Sequence, residues 1–309
     1  MTSISVVVPS FQHARWIGEA VESALSQTRT PEEVVVVDDG STDGTLGVLA
    51  GFGRRIRVLT REGGGRGSVG ATYNRGVAAI SSDLVAFLES DDALERTYLE
   101  ETERFLEGKR EFDWVSTARS IVDAAGRPTG EISRRRYPGD QFTFEGFLSG
   151  ELGASSTPVV RRAALLAVGP YATDGYAADT DMALRFSLSH RMGYLDRPLY
   201  RYRRHGGNAS ASLLESVRLN VPILERLLEG PHPALAGREA AVRRALAKML
   251  GMQAALAMQE NLADSREDVL PILSRAARLH PSPKHIRRLA LVGLFGPRAY
   301  GAWRRARAR

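Results

Sequence analysis

Cysteine is missing from all 309 residues, which excludes disulfides, thiolate metal sites and cysteine nucleophiles and suits a reducing compartment. No apolar run approaches the roughly 18 residues of a membrane-spanning helix. The opening MTSISVVVPSFQ has no basic segment before its apolar run, and that run is only strand length, so no secretory signal is expected and the cytoplasm is the expected compartment. Acid is missing from residues 284–309, which hold eight of the 42 Lys/Arg. The remaining 34 basic residues face 36 acidic ones, so the formal charge of +6 belongs to the tail. Aromatics make up 7% and do not interleave with basic patches in the body, which argues against a nucleic-acid groove.

What is there begins with alternation. ISVVVPS, EVVVVDDG, RIRVLT and DLVAFLES read as strands, and the segments between them carry helical spacing, with Trp16, Ile17, Ala20, Val21, Ala24 and Leu25 on one face of the first. Near-continuous Val/Ile runs alternating with helices imply an α/β domain whose mostly parallel sheet is covered on both faces. The middle of the chain mixes a helix at LERTYLEETERFLEG, strands at FDWVSTARSIVD, SSTPVVRR and PLYRYRR, a helix at DTDMALRFSLSHR and a polar stretch over 124–140. Strand signals stop after His205, and helices broken at EGPHPALAG, HPSP and FGPRAY follow. The expected division is 1–212 (halves 1–92 and 93–212) and a helical region 213–309.

Ligands of such sheets sit at the carboxyl ends of the strands. There the sequence places Pro9-Ser10-Phe11, Asp38-Asp39-Gly40-Ser41 and Glu89-Ser90-Asp91-Asp92. An Asx turn capping the next helix accounts for DDGST by itself, and a solvated capping loop accounts for ESDD. Together they form a crevice negative enough to call for a divalent cation, and hard carboxylate oxygens suit Mg²⁺ or Mn²⁺ shared with a substrate phosphate. A competing signal lies in EGGGRGSVGATYNRG, where Gly65, Gly67 and Gly70 spell G-x-G-x-x-G, the fingerprint of a dinucleotide-binding oxidoreductase. That motif normally follows the first strand of its fold, whereas here two strands precede it.

The run SVVVPSFQHARWIGEAVESALSQT, with EEVVVVDDGSTDGT, N-x-G and AFLESDDAL, resembles the family 2 inverting glycosyltransferases of GT-A fold over about residues 4–208. The resemblance implies transfer of a sugar from a nucleotide diphosphate donor, UDP- or dTDP-linked, to an acceptor hydroxyl. It implies a base pocket at Pro9, Ser10 and Phe11, with Asp39 accepting from the pyrimidine N3–H and Asp38 supporting it. Arg66 and Asn74 belong to the glycine loop and the helix walling the donor. Glu89-Ser90-Asp91 stands at the family's D-x-D position, with Glu89 toward the ribose, Asp91 on the metal and Asp92 sharing it.

Inverting transfer needs one carboxylate base, and YAADTDMALRF resembles the family segment that supplies it. Asp179 is the expected base, with Asp181 the competitor on spacing. His205 follows the last strand as a metal ligand or diphosphate contact, and Arg203 and Arg204 are diphosphate partners by guanidinium chemistry. Arg134, Arg135 and Arg136 face either solvent or an acidic acceptor. The tail HIRRLALVGLFGPRAYGAWRRARAR, with Tyr300 and Trp303, suits a peripheral contact with an anionic membrane, and a homodimer interface accounts for it equally. A non-catalytic carbohydrate-binding protein on the same fold is the remaining alternative.

Overall fold

The computed structural model describes residues 2–61, 67–135, 139–151, 157–173, 177–208, 212–230, 232–260 and 266–307. The chain forms two units, Met1–Gly206 and Gly207–Arg309.

The first unit opens with strands β1 (Ile4–Ser10), β2 (Glu33–Asp38), β3 (Arg57–Thr60) and β4 (Leu84–Phe87), interleaved with helices α1 (Ile17–Leu25), α2 (Thr45–Ala50) and α3 (Val69–Ala79). β1 pairs in parallel with β2 and β4, and β2 with β3. Every residue of β1 is buried, as the unbroken apolar run requires of a strand with helices on both faces. Ile17, Ala20, Val21 and Ala24 are the buried positions of α1; Trp16 stands outside that face, as the N-cap residue, and Leu25 is partly buried.

The second half of the sheet is mixed rather than parallel. β5 (Ala93–Leu94), α4 (Tyr98–Gly108), β6 (Trp114–Val122), β7 (Pro128–Ser133), β8 (Gln141–Phe142), α5 (Phe144–Gly146), β9 (Val159–Arg161), α6 (Arg162–Val168), α7 (Ala178–Ser189) and β10 (Met192–Arg203) follow in order. The sheet runs β3-β2-β1-β4-β9-β6-β10-β5, with β7 on β6 and β8 on β10. β9 is antiparallel to both β4 and β6, and β10 runs parallel to β6. The polar stretch over 124–140 contains β7, whose residues are all exposed; it is held by its ladder to β6 and not by an apolar face.

The second unit is helical: α8 (Leu213–Glu229), α9 (Glu239–Gln259), α10 (Arg266–Leu279), α11 (Pro283–Phe295) and α12 (Pro297–Arg307). Ala254, Ala257, Met258, Val269, Leu273, Val292 and Tyr300 share its core. Ser282 caps α11 by accepting from His285 N, with Pro283 in the first turn where its missing N–H costs nothing. Among the described residues, no helix is long and apolar enough to cross a membrane.

Candidate active site

Ser10 and Asp38 are register partners at the carboxyl ends of β1 and β2. Asp38 is fully buried and spends both oxygens locally, accepting from Gly40 N (3.1 Å) and Ser41 N (2.8 Å) on one and Ser41 Oγ (2.6 Å) on the other. The Asx turn is therefore real, and its product is the placement of the next residue. Asp39 turns toward the glycine loop, accepting from Arg61 Nε at 3.0 Å and Gly67 N at 2.6 Å. Pro9 and Ser10 are buried, Phe11 is partly exposed, and Ser10 Oγ is buried without a hydrogen-bond partner. Gln12 then takes a positive φ of 56°, uncommon for a side chain bearing a Cβ. It is held there by Ser41 Oγ, which accepts from its N–H, and by a two-way pairing of its side-chain amide with Thr42.

The glycines have packing reasons. A Cβ on Gly67 would lie 2.8 Å from Asp39 Oδ1, one on Gly70 1.8 Å from the carbonyl oxygen of Ala172, and one on Gly76 2.3 Å from Val7 Cγ1. Each lets backbone approach another group closely. Gly65 and Arg66 lie outside the described residues, as does Arg136. Asn74 pins α3 to the segment before α7, donating from Nδ2 to Tyr171 O (3.0 Å) and accepting at Oδ1 from Tyr171 N (2.8 Å). The ring of Tyr171 stacks on Tyr73 at 4.7 Å.

After β4 the acidic loop divides its work. Glu89 accepts a hydrogen bond from Tyr73 Oη, and burial pushes its carboxyl up to about 8, with the charges of Asp91, Asp92 and Asp179 adding to the rise and the tyrosine opposing it. Asp92 is 2% exposed and accepts from Tyr200 Oη (2.8 Å) and Arg203 N (2.7 Å); burial and the neighbouring Asp91 raise its pKa. The expected share of Asp92 in a metal site gives way to this inward role, because its carboxylate is buried and turned onto Tyr200 and the backbone of β10. Asp91 instead faces His205, whose Nε2 lies 3.0 Å from Asp91 Oδ2.

Arg203 is likewise not positioned for a diphosphate. Its side chain is 2% exposed, and Nε donates to Asp91 O (2.7 Å) while Nη2 donates to Glu19 Oε2 (2.5 Å). Arg204 is exposed and forked onto Glu131 at 2.9 and 3.0 Å.

The two candidate bases differ in kind. Asp181, 4% exposed, is salt-bridged to Arg185 Nε at 2.8 Å, and Arg185 also donates to the carbonyls of Val168 and Pro170. That pair ties α7 to the turn after α6. Asp179, in the first turn of α7, has no such partner role among the described contacts; burial raises its pKa, opposed by a backbone hydrogen bond from Thr180 and by the charge of Arg119. Arg119, on β6, acts electrostatically on both Asp92 and Asp179 and lies 6.0 Å from the ring centroids of Tyr200 and Tyr202. No motif marks it; strand alternation along STARSIV is the signal that would direct attention to it. His13 and Trp16 are also at the site without having been expected there: His13 Nδ1 is 2.7 Å from Ser90 Oγ, and Trp16 stacks on His205 at 4.2 Å.

Does this donor set fit a divalent cation? Among the described residues no group of three or more His, Asp or Glu is poised around a common point. Asp91 and His205 supply one carboxylate and one imidazole nitrogen, a set that suits Mn²⁺ or Mg²⁺ when a diphosphate and water complete the shell. The fit is to a metal shared with substrate.

Comparison with known proteins decides the family. The family model for glycosyl transferase family 2 matches residues 5–165. The chain belongs to glycosyl transferase family 2. It is 29% identical over 227 residues to a chondroitin synthase of Pasteurella multocida, covering 70% of this chain and 22% of that one. It is 29% identical over 221 residues to a hyaluronan synthase of the same organism, covering 68% and 21%. The chain thus spans about a fifth of the length of these curated relatives. Among solved structures, S. aureus TarS 1–349 in complex with UDP-GlcNAc superposes with a TM-score of 0.67 at 20% identity, over 97% of this chain and 88% of that one. The mannosyltransferase PcManGT of Pyrobaculum calidifontis, in complex with GDP-Man and Mn²⁺, gives 0.55 at 18% identity over 98% and 87%. These likenesses show the fold, within which Gly67 of the glycine motif lies against Asp39.

Proposed function

We propose that this chain transfers a sugar from a pyrimidine nucleotide diphosphate donor to an acceptor hydroxyl by a single inverting displacement. The observation that carries the reading is that Glu89 lies within electrostatic reach of both Asp91, on its own loop, and Asp179, from a distant segment, while Tyr73, which donates to Glu89, stacks on Tyr171 ahead of α7. Asp39 receives the pyrimidine N3–H, since carboxylate oxygens held by Arg61 and Gly67 N retain accepting lone pairs. Ser10 Oγ, buried and unpartnered, offers a hydroxyl to the same nucleotide. Asp91 and His205 would hold Mg²⁺ or Mn²⁺, which when bound would neutralise charge developing on the leaving group. Asp179 takes the acceptor proton as the acceptor oxygen bonds to the anomeric carbon. The bond to the diphosphate oxygen breaks with its electron pair leaving on the nucleotide. The TarS complexes with UDP-GlcNAc and UDP support a uridine donor.

Thermal-shift titration with UDP, dTDP, GDP and NAD⁺, each with and without Mn²⁺, tests the class. A Mn²⁺-dependent shift with a pyrimidine diphosphate is expected; a shift with NAD⁺ alone would overturn the reading, and one with GDP alone would move the base specificity to guanine.

The acid-free tail supports a peripheral contact with anionic lipid. In α11, Ile286, Leu294 and Phe295 are 52%, 71% and 66% exposed, in a segment whose charged residues are all basic. Such a contact would bring the enzyme to a lipid-linked acceptor at the inner face of a membrane.

A further inference from the structure

The turn leading into α1 reads HARWIGE, and three of its side chains at a spacing of three reach either the acidic loop, at Ser90, or the end of β10, at Arg203 and His205. His13 O accepts from Trp16 N and Ile17 N at 2.9 Å, so residues 13–17 already turn helically and bring His13, Trp16 and Glu19 to one side. His13 Nδ1 meets Ser90 Oγ, the residue before Asp91, at 2.7 Å. Trp16 lies 4.2 Å from the His205 ring with 25° between planes, and its own orientation is fixed because Nε1 donates to Ala124 O at 3.1 Å. Glu19 Oε2 accepts from Arg203 Nη2, and Arg203 Nε passes the hold to the main-chain carbonyl of Asp91. Glu19 Oε1 accepts from Arg201 as well, at 3.2 Å.

We propose that His13, Trp16 and Glu19 are positioning residues for the metal centre, a row that fixes the imidazole plane of His205 and the backbone of Asp91 before metal arrives. The inference rests on the reading of Asp91 and His205 as the metal ligands. With two protein ligands among the described residues, the site has little redundancy, so affinity depends on both being aimed together. A free imidazole rotates about two bonds, and the stack on Trp16 removes that freedom at the ring itself. Asp91 is held by its predecessor's hydroxyl and by its own carbonyl, which leaves its carboxylate as the element presented to His205 Nε2 at 3.0 Å. Outer-sphere partners of this kind tune metal affinity by about 10–100-fold. The row also stands next to the nucleotide end of the crevice: His13 N donates to Thr45 Oγ1 (3.1 Å) and Ala14 N to Asp43 Oδ2 (3.0 Å), both beyond the Asp38–Asp39 turn. One short segment therefore links the base-binding loop to the metal loop.

The test is Mn²⁺ affinity of the full chain in the presence of UDP, read from the electron paramagnetic resonance of free Mn²⁺, beside the melting temperature of each variant. Trp16→Ala and Glu19→Gln should each weaken Mn²⁺ binding by about 10–100-fold, and Trp16→Phe, which keeps a stacking face, should restore it. His205→Ala is the reference. If His205→Ala weakens Mn²⁺ and both Trp16→Ala and Glu19→Gln leave it unchanged, the row is only structural and the proposal is overturned while the metal site stands. If His205→Ala leaves Mn²⁺ binding unchanged, the metal-site reading fails and the row fails with it. Should Trp16→Ala not fold, Glu19→Gln and Trp16→Phe carry the decision: weakening in the first with retention in the second supports the row, and any other pattern refutes it.

Discussion

Asp179→Asn separates the base from everything around it. The substitution keeps the shape of the side chain and removes only its ability to take a proton, so transfer should fall by about 10²–10⁴-fold. That corresponds to roughly 2.7–5.4 kcal/mol of transition-state stabilisation. Affinity for UDP and Mn²⁺ should hold, because neither is bound by Asp179 in the proposed site. Stability should move the other way. Burial raises the Asp179 pKa in the folded chain, so at pH values above both its folded and unfolded pKa the ionised carboxylate costs folding energy. That cost disappears as pH falls below the unfolded value of about 3.9. The Asn variant should therefore melt higher than the parent at neutral pH, with the difference closing in acid. If Asp179 is the base, the same raised pKa should place the acid limb of kcat/KM of the parent chain above the ordinary aspartate range, with activity lost as pH falls through it. Quantifying sugar transfer from radiolabelled donor, together with melting curves from pH 3 to 8, reads both effects. Unimpaired transfer by Asp179→Asn, with the loss appearing in Asp181→Asn, would refute the assignment.

Three further outcomes are expected. Asp181→Asn should leave donor binding intact but lower stability by about 3–5 kcal/mol, since it strands Arg185 from a pair whose side chains are 17% and 6% exposed; urea unfolding measures it. Gly70→Ala should cost about 1–3 kcal/mol and depress transfer, because the new Cβ would lie 1.8 Å from Ala172 O and push the segment that leads to α7; a wild-type melting temperature would contradict the packing argument. Flotation of the full chain with vesicles containing phosphatidylserine should be reduced by Leu294→Ser with Phe295→Ser and by high salt, and equal flotation of both chains would remove the membrane contact.

The parts of the site legible in the sequence are those written in contiguous residues. DDGST and ESDD announce themselves because each closes a buried strand, and the register of Ser10 with Asp38 brings the first two loops side by side. Side chains whose partners are remote in the chain were misassigned or missed. Arg203 invites a phosphate until its partner Glu19, 184 residues away, takes the guanidinium inward. Trp16 fits an apolar helix face by spacing, yet it precedes the first residue of α1 and turns to His205. Arg119 lies mid-strand, where only the tertiary fold brings it within electrostatic reach of Asp92, before β5, and Asp179, on α7. β7 escaped because an exposed strand carries no alternating apolar signal.

The glycine-rich segment shows why a spacing can be right and its usual meaning wrong. G-x-G-x-x-G marks positions where backbone must come close to something, and the spacing by itself does not say to what. Here Gly67 admits the Asp39 carboxylate, whose oxygen accepts its N–H at 2.6 Å, and Gly70 admits the carbonyl of Ala172. Gly76, six residues further on, seats α3 against Val7 of β1. The first of these approaches belongs to the acid proposed to read the base, the second to the segment leading to the proposed catalytic helix, and the third to the sheet. Asn74 joins the same face by gripping both backbone groups of Tyr171. The helix α3 and the residues just before it therefore connect the Asp38–Asp39 turn, the acidic loop through Tyr73 and Glu89, and the approach to Asp179. An anion-binding cradle would leave these backbone groups open to a phosphate, whereas the N–H of Gly67 is already committed to a carboxylate. The negative charge that the Gly67 N–H receives is supplied by the protein itself.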